Sequence, residues 1–65
     1  MKDTLIIVPT FNEIDNIELL LADIFNRYPE VHVLVVDDNS PDGTAATVKF
    51  LMEEFPDQLF IEERQ

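Results

Sequence analysis

Two short polar clusters hold the side chains able to do chemistry. One is Pro9-Thr10-Phe11-Asn12-Glu13, and the other is Asp37-Asp38-Asn39-Ser40-Pro41-Asp42-Gly43-Thr44. A carboxylate accepts hydrogen bonds from a base N–H or from sugar hydroxyls, and an aromatic ring can flank a base. Asp37 and Asp38 are consecutive, so at a strand end their side chains leave in opposite directions. They are poorly placed to act as an acid/base pair on one substrate atom. One could face the sheet and fix the loop while the other points into a cleft, and Asp38 is the better candidate for the cleft. Asn39, Ser40 and Asp42 are residue types that make turns and cap helices, and that role is preferred for them. Glu13 could merely favour a helix dipole, Asn12 could cap a helix, and Phe11 could pack as a loop aromatic.

Each cluster needs an element to place it. Thr4 to Pro9 and Val31 to Val36 are continuous β-branched and aliphatic runs, which read as buried strands, and Gln58 to Glu62 is a weaker third. Between the first two runs, Ile14, Ile17, Leu20, Leu21, Ile24, Phe25 and Tyr28 recur at helical spacing. Asn12 is the expected cap of that helix, and Pro29 lies just past its end. A second helix is expected after Ser40 as cap and Pro41 at its first position. Its stripe is Ala45, Val48, Leu51, Met52 and Phe55, and Pro56 ends it. His32 sits within a strand and is expected to be structural.

The predicted order is β-α-β-α-β, an α/β unit with parallel strands and right-handed crossovers. Both helices should then lie on one face of the sheet. The strands, however, are apolar on both faces, as in sheets covered on both sides. The uncovered face would be a patch on the order of several hundred Å2, more than soluble monomers usually expose. Residues 1–65 are therefore expected to be one incomplete domain. More chain, or a homo-oligomer partner, would cover the second face. Ligands of such sheets bind at the carboxyl ends of the strands, where both polar clusters fall.

Composition narrows the classes. The chain has 65 residues and a net charge of −10, from 14 acids against four bases. Nucleic acid is not an expected partner, because phosphate-backbone binding needs many Lys and Arg on one face. Docking on an anionic lipid surface is disfavoured for the same reason. There is no cysteine and only one glycine, so neither a disulfide, nor a thiolate metal site, nor a glycine-rich phosphate loop is available. No apolar run approaches the roughly 20 residues that span a bilayer. A cytoplasmic protein is expected.

The clusters and their spacing also resemble a known family. Ile7-Val8-Pro9-Thr10-Phe11-Asn12-Glu13, followed by Asn16-Ile17, resembles the opening motif of family-2 glycosyltransferases. Val35-Val36-Asp37-Asp38-Asn39-Ser40-Pro41-Asp42-Gly43-Thr44 resembles their second block, and its Ser-Pro-Asp-Gly-Thr ending is similar to the polyprenol-phosphate (dolichol-phosphate) mannosyltransferase branch. The resemblance implies the N-terminal part of a GT-A, Rossmann-like domain. It implies an enzyme that transfers a sugar with inversion, mannose being favoured, from a nucleotide-diphosphate donor such as GDP-mannose, helped by Mg2+ or Mn2+. A polyprenol or dolichol phosphate would be the acceptor, which allows a place on the cytoplasmic face of a membrane. By the same resemblance Pro9, Phe11 and Glu13 line the nucleotide pocket, with Val36 and Asp38 beside the base and ribose, and Asp37 as a weaker candidate. No catalytic residue and no metal ligand falls on matching positions, because the family's Asp-x-Asp motif would come after Gln65. Transfer by residues 1–65 alone is not expected. Branch members often carry tyrosine where Phe11 stands, so one hydroxyl contact is missing. Asn39 stands where glycine is common, a change that a left-handed turn accepts.

Two other readings compete. His32-Val33-Leu34-Val35-Val36-Asp37-Asp38-Asn39 is similar to the first strand and acidic pair of a response-regulator receiver domain. Against it, a full βα unit precedes the acids, and Ile61-Glu62-Glu63 offers no aspartate at the next strand end. The other is a non-catalytic α/β interaction module.

Overall fold

The apolar runs form three strands separated by two helices. In a computed structural model, which describes residues 3–64, the order is β1 (Leu5–Thr10), α1 (Ile17–Arg27), β2 (His32–Asp37), α2 (Thr44–Leu51) and β3 (Leu59–Glu63). The strands make one sheet in the order β1-β2-β3, and both pairings are parallel. The expected β-α-β-α-β architecture is therefore present. Each strand lies one residue later than its apolar run suggests. Val31 is still engaged by the preceding turn, donating its N–H to Tyr28 O at 3.2 Å. At the other end Thr10 pairs with Asp37, and Asp37 with Glu63, so the ladder continues into polar residues.

Alternation along the strands sorts their side chains between two faces. Val33 and Val35 are fully buried against Ile17, Leu21 and Phe25 of α1 and Val48 and Leu51 of α2, with Leu59 completing the cluster. Burying a residue of this size contributes about 1.5–3 kcal/mol. Both helices share this one face. Phe25 also stacks on Phe55, with ring centroids 4.3 Å apart, which ties the end of α1 to the segment before β3. The opposite face carries Leu5, Ile7, Leu34 and Phe60, and Ile7 is 59% exposed. One apolar sheet face is thus uncovered, as the strand composition requires.

The helix starts differ from expectation. Asn12 does not cap α1; it sits at φ 54°, in the left-handed region, and the helix begins at Ile17 after a separate turn. Ser40 and Pro41 do not open α2 either, since Gly43 at φ 92° occupies the cap position. Neither cap residue makes a side-chain cap hydrogen bond. The amides near α1 are instead held from the other loop, with Ser40, Thr44 and Asp42 accepting from Asn12, Glu13 and Ile14. A tertiary partner satisfies donors that a local cap would otherwise serve. Ile14, Leu20 and Tyr28, expected in the buried stripe, are exposed. At its far end α2 stops at Leu51, and Met52 to Phe55 continue as turns.

Candidate functional site at the carboxyl ends of the strands

Hydrogen bonds lock the strand ends to one another. Asp38 N donates to Thr10 O at 3.0 Å, and Arg64 N donates to Asp37 O at 2.7 Å. The three strand ends therefore form a fixed rim from which the loops rise. Pro9 and Val36 are ladder partners on the uncovered side of this rim. Phe11 and Asp38 follow β1 and β2 directly, and both are exposed. Together with Thr10 and Arg64, these four residues line a cleft of about 380 Å3. Apolar walls, an exposed ring, one free-facing carboxylate and one guanidinium suit a flat polar ligand such as a nucleoside.

The two aspartates divide as their opposite directions require. Asp37 is 1% exposed and points to the helix side. Its Oδ1 accepts from Thr10 Oγ1 at 2.8 Å and from Ser40 Oγ at 2.6 Å, and its Oδ2 accepts from Ser40 N at 2.9 Å. Burial pushes the Asp37 carboxyl up, but the donors from Ser40 and Thr10 together outweigh it and hold the group below the usual value. Asp37 thus fixes the loop beneath the cleft, and Asp38 lines it.

Pro9, Phe11, Val36 and Asp38 of the six sequence candidates share the cleft. Glu13 does not. It lines a neighbouring hollow of about 180 Å3 with Thr10, Asn16 and Leu20, separated by the Pro9–Thr10 wall. Thr10 and Arg64 are cleft residues that the sequence reading did not single out. Arg64 could have been found from the parallel register, which places the end of β3 beside Asp37 and Asp38. A larger hollow, about 460 Å3, lies elsewhere, between Leu5, His32, Leu34 and Phe60 on the uncovered sheet face. Asp3, Thr4 and His32 stand at its edge, but its lining is mainly apolar and it lies away from the strand ends, on the bare sheet face. Among the described residues, no three His, Cys, Asp or Glu side chains come together as a metal-holding group.

The model of the family described as glycosyl transferase family 2 matches residues 5–65. The chain belongs to that family. The parallel β-α-β-α-β order agrees with the Rossmann-like nucleotide-binding part of a GT-A domain, and the receiver alternative falls with the match. Among curated proteins, this family-2 chain is 44% identical over 61 residues to the polyprenol monophosphomannose synthase of Mycolicibacterium smegmatis, covering 94% of this chain and 23% of that protein. It is 55% identical over 40 residues to the undecaprenyl-phosphate mannosyltransferase of Micrococcus luteus, covering 62% of this chain and 16% of that protein. The chain thus spans less than a quarter of the length of these curated relatives. No solved structure matches it significantly.

Proposed function

We propose that the protein carrying this chain is an inverting glycosyltransferase that moves mannose from a nucleotide-diphosphate donor, GDP-mannose, to a polyprenol phosphate. Residues 3–64 supply one wall of the donor pocket. The observation that carries this reading is the gathering of Pro9, Phe11, Val36 and Asp38 in one cleft at the carboxyl ends of parallel strands. The two relatives, a polyprenol monophosphomannose synthase and an undecaprenyl-phosphate mannosyltransferase, support the sugar and the acceptor class.

In this reading Phe11 stacks on the base, and Pro9 and Val36 close the apolar wall. Asp38 accepts hydrogen bonds from the base or ribose. Among the described residues Arg64 is the one cationic side chain of the cleft, and Glu13 approaches from the adjoining hollow. The reaction in this reading also takes Mg2+ or Mn2+, held by side chains other than these. A lipid-phosphate acceptor places the work at the cytoplasmic face of a membrane, although among the described residues no helix is long and apolar enough to cross one. Further polypeptide or a second copy covers the Leu5, Ile7 and Phe60 face. Residues 1–65 alone do not turn over donor.

The test is GDP binding by the full-length protein, measured by calorimetry, in wild type and in Asp38→Asn and Phe11→Ala. Removing a charged acceptor costs about 1.5–3 kcal/mol, so Asp38→Asn weakens GDP roughly ten- to a hundredfold. Phe11→Ala removes stacking worth about 1–3 kcal/mol, and Phe11→Tyr retains it. Unchanged GDP affinity in both Asp38→Asn and Phe11→Ala sinks the reading.

A further inference from the structure

Three consecutive amides of the β1–α1 loop are captured by side chains of the β2–α2 loop. Asn12 N donates to Ser40 Oγ at 2.8 Å, Glu13 N to Thr44 Oγ1 at 3.0 Å, and Ile14 N to Asp42 Oδ2 at 3.2 Å. Two of these acceptors are themselves donors to carboxylates. Ser40 Oγ donates to Asp37 Oδ1 at 2.6 Å, and Thr44 Oγ1 donates to Asp42 Oδ1 at 2.5 Å. The result is two parallel relays, each running amide to hydroxyl to carboxylate. Each hydroxyl is used both ways, which fixes its proton and strengthens both bonds. Thr44 N also donates to Asp42 Oδ1 at 3.0 Å, so the second relay is anchored at the start of α2.

Backbone geometry fits this arrangement. Successive N–H groups beside a left-handed residue form a concave nest that attracts an anionic or strongly accepting group. Asn12 supplies the left-handed residue at φ 54°, and Asn39 at φ 59° does the same in the facing loop. The nest is filled by the protein's own Ser40, Thr44 and Asp42. Phe11 lies immediately before it and Asp38 immediately before Asn39, so the two cleft residues sit at the two ends of the clasp.

We propose that Ser40, Asp42 and Thr44 are positioning residues of the donor pocket: by clasping the Asn12–Ile14 backbone they set Phe11 opposite Asp38, and Glu13 in the adjoining hollow, before any nucleotide binds. This rests on the donor-pocket reading above. The three residues do not line the cleft themselves. Their effect is transmitted by backbone placement, as preorganisation of a site by its supporting hydrogen bonds requires.

The experiment uses the full-length protein with Asp42→Asn, Ser40→Ala and Thr44→Val, and with Thr44→Ser as the conservative control. Two readouts are taken. Hydrogen exchange of the Asn12, Glu13 and Ile14 amides reports the clasp without any ligand, and GDP affinity reports the pocket. Each disruptive variant is expected to speed exchange at the amide it serves. Each also weakens GDP roughly three- to tenfold, the range for losing one neutral hydrogen bond. Thr44→Ser restores both to wild-type values. Wild-type exchange at all three amides in the variants overturns the clasp, and faster exchange with unchanged GDP affinity overturns its positioning role. Should Asp42→Asn fail to fold, Ser40→Ala and the Thr44 pair decide by the same criteria. If wild type binds no GDP, the donor-pocket reading and the role built on it fall together, while exchange still reports whether the clasp exists.

Discussion

Asp37 and Asp38 show how two identical neighbours acquire different work. A strand end turns one side chain toward the helices and the next toward the cleft. The inward one receives three hydrogen bonds, and the outward one stays available to a ligand. Asp37→Ala leaves the Ser40 amide and the Thr10 hydroxyl without their acceptor. The expected loss is about 1–3 kcal/mol of stability, read from denaturant unfolding of the full-length protein. Acidity gives a second check. The carboxyls of both Asp37 and Asp42 are held below the ordinary 3.8, Asp42 chiefly by the Thr44 hydroxyl, and Asp37 by Ser40 and Thr10 against the opposing effect of burial. A lowered folded value means the unfolded chain takes up protons first on acidification. Their contribution is complete above 3.8 and is lost as pH falls through the lower folded values. The urea midpoint should therefore drop below that pH, and Asp37→Asn should flatten the drop.

At the scale of elements, the loops matter more than the helices they introduce. The spacing of Ile17, Leu21 and Phe25 gives α1 its buried stripe, and Val48 and Leu51 do so for α2. The expected start at Asn12 is displaced because the amides there find partners across the loop pair, while the Ser40 amide is taken by Asp37 and α2 starts after Gly43. Capping preferences describe local competition, and a partner some 30 residues away overrides them. Gly43 is the point where this geometry is least forgiving. Its φ of 92° is unfavourable for any L side chain, and a Cβ there would lie 3.3 Å from Ile14 Cδ1. Left-handed backbone costs a non-glycine residue roughly 1–2 kcal/mol, so Gly43→Ala should lower stability by at least that amount in a thermal melt. Asn39→Gly, at φ 59°, should be close to neutral in the same assay, because both residue types accept that region.

For the whole molecule, the decisive feature is a sheet covered on one side only. Leu5, Ile7 and Phe60 stand exposed on the other side, beside a hollow that also takes in His32 and Leu34. The surface ion pairs Arg27–Asp23, Lys49–Glu63 and Arg64–Glu62 are well solvated and cannot offset such a surface. Produced on its own, the 65-residue chain should bind a hydrophobic dye and self-associate, as sedimentation would show. Ile7→Thr with Phe60→Thr should suppress both. A monodisperse, dye-silent wild-type chain would contradict the inference that this face is normally covered.

Hydrophobic periodicity by itself determined the element order, the parallel sheet, the centre of each buried stripe and the bare second face, because apolar side chains must leave water in the pattern that each backbone repeat imposes. The motif residues likewise pointed to Pro9, Phe11, Val36 and Asp38, since strand ends in a parallel sheet converge on one rim. Only the tertiary structure assigned Asp37 to the loop's interior, put Glu13 behind the Pro9–Thr10 wall, brought Arg64 to the cleft and moved both helix starts. Apart from the α2 start, which follows the local Ser40–Asp37 bond and Gly43, these turn on hydrogen bonds or register between segments far apart in sequence. Such pairings depend on where the chain returns in space, and no local pattern of residue types encodes that.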